Sequence, residues 1–173
     1  MADVVTFESL SSYTVSGNST STIILSPISQ SYTDLFVSIE GLMSTSSGVN
    51  LIYRFNSDSG TRYSRNGFWV DSTSSGGFNS ANQNTAYGGV FTNTKRTSEI
   101  MHIFNYSTSA VTNVPKNRYI LSKSMDVGDI SHAVQVNEWR NTTDGITSIT
   151  FSFDGGGTFA NGTIIALYGI KSN

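Results

Sequence analysis

ITSITFSFDGGGTFANGTIIALYGIK, running from Ile146 to Lys171, is the stretch that decides the fold. Its first arm sets Thr147, Ile149, Phe151 and Phe153 on one side of the chain and Ile146, Ser148, Thr150 and Ser152 on the other. A period of two belongs to a strand with one covered face. Asp154-Gly155-Gly156-Gly157 follows, a run that reaches positive φ at little steric cost and can turn the chain. The second arm, Thr163 to Ile170, is more continuously apolar, with Ile164, Ala166, Tyr168 and Ile170 alternating against Ile165, Leu167 and Gly169. That continuity predicts a central strand covered on both faces, forming a hairpin with the first arm. Ile149, Phe151, Ile165 and Leu167, with Val37 and Leu51 from earlier strands, are the expected core.

Composition narrows the class. The 173 residues suit one domain that can bury a sizeable core without metal or disulfide. There is no Cys, hence no thiolate metal site or thiol nucleophile, which suits maturation in a reducing cytoplasm. The start, MADVVTFESLSS, has neither a basic n-region nor a long apolar h-region, and no apolar run approaches membrane-spanning length, so neither export by the general route nor membrane insertion is expected. A net charge of -2 with only 13% charged residues provides no electrostatic footprint for nucleic acid. Polar positions are filled by Ser, Thr, Asn and Gly, and aromatics reach 12%, a mixture that favours short strands over helices.

The rest of the chain extends the pattern. Val4 to Leu10 is a short apolar segment before a Ser/Thr/Gly/Asn run, so residues 1-30 form either an edge strand or an arm that reaches a partner. Ile23 to Leu25 is a strand closed by Pro27. Leu35 to Glu40 and Val49 to Asn56 both alternate and are expected to be antiparallel neighbours. Tyr63 to Val70, Ile100 to Tyr106, Arg118 to Ser122 and His132 to Trp139 are further strands, while Asp71 to Gly89 is expected to be a long polar loop. The total, about eight to nine antiparallel strands without a repeat of constant period, predicts an all-β single domain over 1-173, a β-sandwich of jelly-roll type.

Several strings carry a resemblance. Ser31-Tyr32-Thr33-Asp34-Leu35, Tyr53-Arg54-Phe55-Asn56-Ser57-Asp58-Ser59-Gly60, Ile103-Phe104-Asn105-Tyr106, Trp139-Arg140, Ile146 to Thr150 and the ending Leu167-Tyr168-Gly169-Ile170-Lys171 resemble a family of tailed-bacteriophage virion proteins with a jelly-roll module. Such modules occur as decoration (cement) proteins and as heads of tail-fibre-like chains. The resemblance runs from about Tyr32 onward and rests on strand and turn residues, so it speaks to origin and fold more than to role.

No catalytic constellation stands out. His102 and His132 are isolated from each other, there is no HExxH and no GxSxG, and nothing calls for a cofactor or metal. A glycosidase would need two facing carboxylates, and Glu99, Asp126, Asp129, Glu138 and Asp144 do not single out a pair. Asn56 to Gly60 has oxygen ligands at alternating positions, but its glycine falls one place early for a calcium loop, so an Asx-type turn explains it better. Trp139 is expected to plug the core, with Arg140 pairing locally with Asp144 or lying at a subunit contact.

Two functions remain. The first, favoured by the short stretch before Tyr32, is a non-enzymatic decoration protein of the virion, made in the host bacterial cytoplasm and placed on the capsid surface. It would assemble as a homotrimer and contact the major capsid protein or another virion protein, with Val4, Val5, Phe7 and Leu10 as candidate contacts. The second is a receptor-binding head that recognises host glycans through Trp69, Asn82, Gln83 and Tyr87. Its competitor is that Trp69 simply packs the core.

Overall fold

The structure is a computed structural model that describes residues 6–45, 48–107, 118–126, 131–141 and 143–171. Strands β1 (Thr6–Thr14), β2 (Ile23–Leu25), β3 (Asp34–Gly41), β4 (Val49–Phe55), β5 (Tyr63–Val70) and β6 (Ser75–Gln83) form the first half. The second half contributes β7 (Ala86–Phe91), β8 (Thr97–Ile103), β9 (Arg118–Asp126), β10 (Ser131–Trp139), β11 (Ile149–Phe153) and β12 (Ile164–Lys171). They assemble into an all-β sandwich with one sheet ordered β1-β12-β3-β8-β9-β10-β5-β6 and a smaller one ordered β2-β11-β4-β7. All pairings are antiparallel.

The expected core is there: Ile149, Phe151, Ile165, Val37 and Leu51 are fully buried and Leu167 nearly so. The pairing is not as expected. β11 and β12 lie in different sheets, so the two arms face one another across the core instead of forming a hairpin. Gly155, Gly156 and Gly157, all at positive φ, begin a crossing that ends only at Ile164. β3 and β4 are likewise in opposite sheets, β3 between β12 and β8 and β4 between β11 and β7. Alternation fixes which side of a strand is buried but carries no information about its partner. Connection length does not settle it either, since only two residues, Asn84 and Thr85, carry the chain from β6 in the large sheet to β7 in the small one. The short links β5–β6 and β9–β10 do make hairpins.

Asp71 to Gly89 is also more ordered than its composition suggests, because it contains β6 and the first part of β7. The real turn is Asp71 to Ser74. The Asp71 carboxylate accepts from the N–H groups of Thr73 (2.8 Å) and Ser74 (2.7 Å), and these bonds hold its pKa below the ordinary aspartate range. A depressed folded-state value means the cap is complete above the unfolded value of about 3.9 and is lost as pH falls through the folded one. Protection of the Thr73 and Ser74 amides, their exchange rate relative to the intrinsic rate at the same pH, should therefore fall on acidification in the native protein and be low throughout in Asp71→Ala.

Residues 1-30 supply an edge strand. β1 pairs with β12, with a register shift between Ser9 and Ser11 that leaves Leu10 as the extra residue. β12 itself is covered on one face only, since Ile164 is 43% exposed and Tyr168 half-buried. The continuous apolarity of this arm therefore leaves an apolar outer face on the large sheet instead of a strand buried on both sides.

Candidate functional site

The inner face of the large sheet changes character from one end to the other. Following the register across it, Leu167, Val37 and Met101 give way to Gln135, Gly67 and Phe78. The neighbouring rows end in Asn137, Arg65 and Ser80 and in Ala133, Trp69 and Gly76. Apolar residues pack under β11 and β4, while polar ones lie where β7, the edge of the small sheet, crosses over.

An edge strand exposes backbone groups that must find partners. Here side chains of the opposing sheet provide them. Asn137 donates from Nδ2 to the Tyr87 carbonyl (3.1 Å) and accepts from the Tyr87 N–H (3.3 Å), and Gln135 Nε2 donates to the same carbonyl (2.8 Å). Glu99, fully buried, accepts from the Gly89 N–H at 2.9 Å. Gly88 makes this approach feasible, because a Cβ there would sit 2.6 Å from a Glu99 oxygen. Gln135 and Asn137 were legible as the polar half of an alternating strand, but nothing in the sequence says that this half faces inward. The Gln135 Oε1 atom and the Tyr53 hydroxyl are buried with no partner among the described residues, and burial raises the Tyr53 pKa well above its usual value.

Beyond β7 the large sheet overhangs. Trp69 on β5 pairs with Gly76 on β6, and Phe78 on β6 pairs with Gly67 on β5. Each ring lies over a glycine: a Cβ on Gly76 would be 3.0 Å from Trp69 Nε1, and one on Gly67 would be 2.8 Å from Phe78 Cζ. Arg65 continues the row, its guanidinium carbon 5.0 Å from the Phe78 ring centre and 4.0 Å from that of Tyr87. Its Nε donates to Ser80 Oγ at 3.3 Å, and no carboxylate lies within ion-pair distance of it among the described residues. Desolvation lowers its pKa, opposed by Tyr87 and Asp154. Trp69, at 37% exposure, is not a core residue. Asn82 and Gln83 are engaged elsewhere: Asn82 Oδ1 accepts from Arg140 (2.9 Å) and Gln83 Nε2 donates to the Ala81 carbonyl (2.9 Å).

The outer face of the same sheet is the second notable surface. Its rows include Tyr168, Phe36, His102 and Val136, then Ser38, Ile100, Val134 and Phe68, then Ile164, Ser98 and Val70. Phe7 stacks on Tyr168 (4.8 Å) and meets Phe36 edge-on (5.5 Å). Phe7 and Phe68 are each 55% exposed. Of the four partner-contact candidates, Phe7 thus belongs to the outer face, Leu10 is partly buried against the core, and Val4 and Val5 lie outside the described residues.

No family model matches the chain, and a search of curated proteins finds no match.

Among the described residues, the candidate carboxylates do not converge. Glu99 is sealed on the inner side, whereas Glu138 is on the outer side of the same sheet, accepting from Ser64 Oγ (2.7 Å) and pairing with Arg140 (3.5 Å). Asp144 accepts from Asn141 Nδ2 (3.0 Å), so the Arg140–Asp144 pairing expected from the sequence is replaced by contacts of Arg140 with Glu138, Asn82 and the Thr61 carbonyl. Asp126 has no described side chain, and Asp129 lies outside the described residues. Asp58 is committed to structure as well, accepting from the Gly60 N–H (2.9 Å) as an Asx turn does and from Trp139 Nε1 (2.8 Å). His102 contacts Asp34 at 3.0 Å, while His132 lies two strands away across the sheet.

Proposed function

We propose that this chain is a non-enzymatic virion structural protein, a decoration (cement) protein of a phage head that assembles as a homotrimer through the outer face of its large sheet. The resemblance of its strand and turn strings to such proteins supports the origin. The observation that carries the role is the outer face itself. Eight strands at ~4.8 Å spacing, over about 20 Å of strand length, give a face of about 700 Å², an area near the ~800 Å² per partner of one standard interface and shared between two neighbours in a ring.

The chemistry of that face suits a second copy of the same chain. Among its described side chains, the middle rows carry Ser, Val, Ile and aromatics, and Glu40 and Glu138 lie toward opposite ends of the strands. Among the described side chains, few ions then need desolvating when copies meet. The face also has two unlike ends, Phe7–Tyr168–Phe36 near β1 and Phe68 with Val70 on β5. Unlike ends that meet head to tail make a heterologous contact, which closes into a ring when the rotation between copies closes. A particle built on such trimers gains stability by mass action, since the bound chain favours the assembled state. Heads purified with and without this chain should therefore differ, those lacking it rupturing at lower temperature, and the chain should be found among head proteins by mass spectrometry. Equal rupture temperatures would argue against cementing.

A further inference from the structure

We propose that the row Trp69–Phe78–Arg65–Tyr87 on the overhang is a binding platform for an acidic oligosaccharide of the uronic-acid class. This does not rest on the trimer, because the platform lies on the inner side of the sheet, opposite the face assigned to assembly.

Each part of the row has a matching demand. A pyranose ring presents axial C–H bonds on one face, which pack on an exposed indole. Trp69 is such an indole, seated on Gly76 with part of its surface open. A carboxylate needs two parallel N–H donors in one plane, which a guanidinium supplies. Arg65 is held in place by Phe78, Tyr87 and its Nε bond to Ser80. Its two terminal nitrogens have no hydrogen-bond partner among the described residues. An arginine fixed by rings, partly desolvated and, among the described residues, without a carboxylate at ion-pair distance is already organised for an external anion. Trp69 and Arg65 lie four residues apart on one strand face, about 13 Å, so the ligand is a short chain with ring and acid groups along it, not a single sugar. Gln135, paired beside Gly67, carries a buried amide oxygen without a partner among the described residues.

Trp139 is fully buried, so acrylamide quenching of the remaining tryptophan reports on Trp69. The probes are trimers of galacturonic, mannuronic and glucuronic acid and the methyl ester of the galacturonic trimer, titrated into the full chain. At least one acid trimer should shield Trp69, and Arg65→Gln should weaken its binding by about ten- to a hundred-fold, the loss of charge-assisted bonds. The methyl ester should bind native protein no better than the acid binds Arg65→Gln. Arg65→Lys, which keeps the charge and loses the fork, should fall between, and Trp69→Ala should abolish binding measured by calorimetry. Failure of all three acid trimers to shield Trp69 would overturn the proposal, as would binding by a folded Arg65→Lys or Arg65→Gln variant at native affinity.

Discussion

Trp139→Ala is expected to destabilise the fold by about 3 to 5 kcal/mol, the usual range for truncating a large buried aromatic. The side chain is fully buried, its ring centre 5.4 Å from that of Phe55 and stacked at 6.5 Å on Tyr63. Removing it opens a void between the sheets and takes away the Nε1 donor to Asp58. Asp58 also caps its own turn through Gly60, and its carbonyl accepts from the Tyr63 hydroxyl, which in turn receives the Phe55 N–H. The loss therefore spreads from the core to the β4–β5 connection. Trp139→Phe separates the two contributions, since it keeps most of the volume and forfeits a bond to a charged acceptor, about 1.5 to 3 kcal/mol. Urea unfolding followed by circular dichroism measures both. A cost below about 1 kcal/mol for Trp139→Ala, outside that range, would contradict the packing described.

Charge placed on the outer face should break the oligomer while leaving the fold intact. Ile100 is 42% exposed and Val136 43%, and both project from strands in the middle of the large sheet. A glutamate at either position meets solvent in the monomer at little cost, but in the trimer it must be buried without a partner, which disfavours association strongly. Light scattering should give three times the 18.7 kDa chain mass for the native protein and the single mass for Ile100→Glu or Val136→Glu. Their circular dichroism should match the native spectrum. Variants that keep the native mass would place the subunit contact elsewhere.

In β3 and β4 the strands and their buried sides were legible because each depends on local alternation. Leu35, Val37 and Ile39, or Leu51, Tyr53 and Phe55, can be read from period two alone, and all six are fully buried. Sheet membership was not legible, since it depends on which strands meet after the crossings near Gly155 to Gly157 and between Gly41 and Val49. β6 was hidden for a different reason. Ser75 to Gln83 has the composition of a loop, and its glycines make sense only beside Trp69 and Phe78 on paired strands. Trp69 and Tyr87 could be picked from sequence as exposed-ring candidates, whereas Arg65, which joins them, lies in an unremarkable polar position between Ser64 and Asn66. Its role depends on two rings from other strands.

A single electron-microscopy map of the intact particle tests the central claim most directly. The account predicts density for this chain on the head surface in groups of three, with β12, β3, β8 and β10 turned toward neighbouring copies and the Trp69 overhang open to solvent. Absence of the chain from the head, or a head-bound chain with the outer face of its large sheet bare, would contradict it.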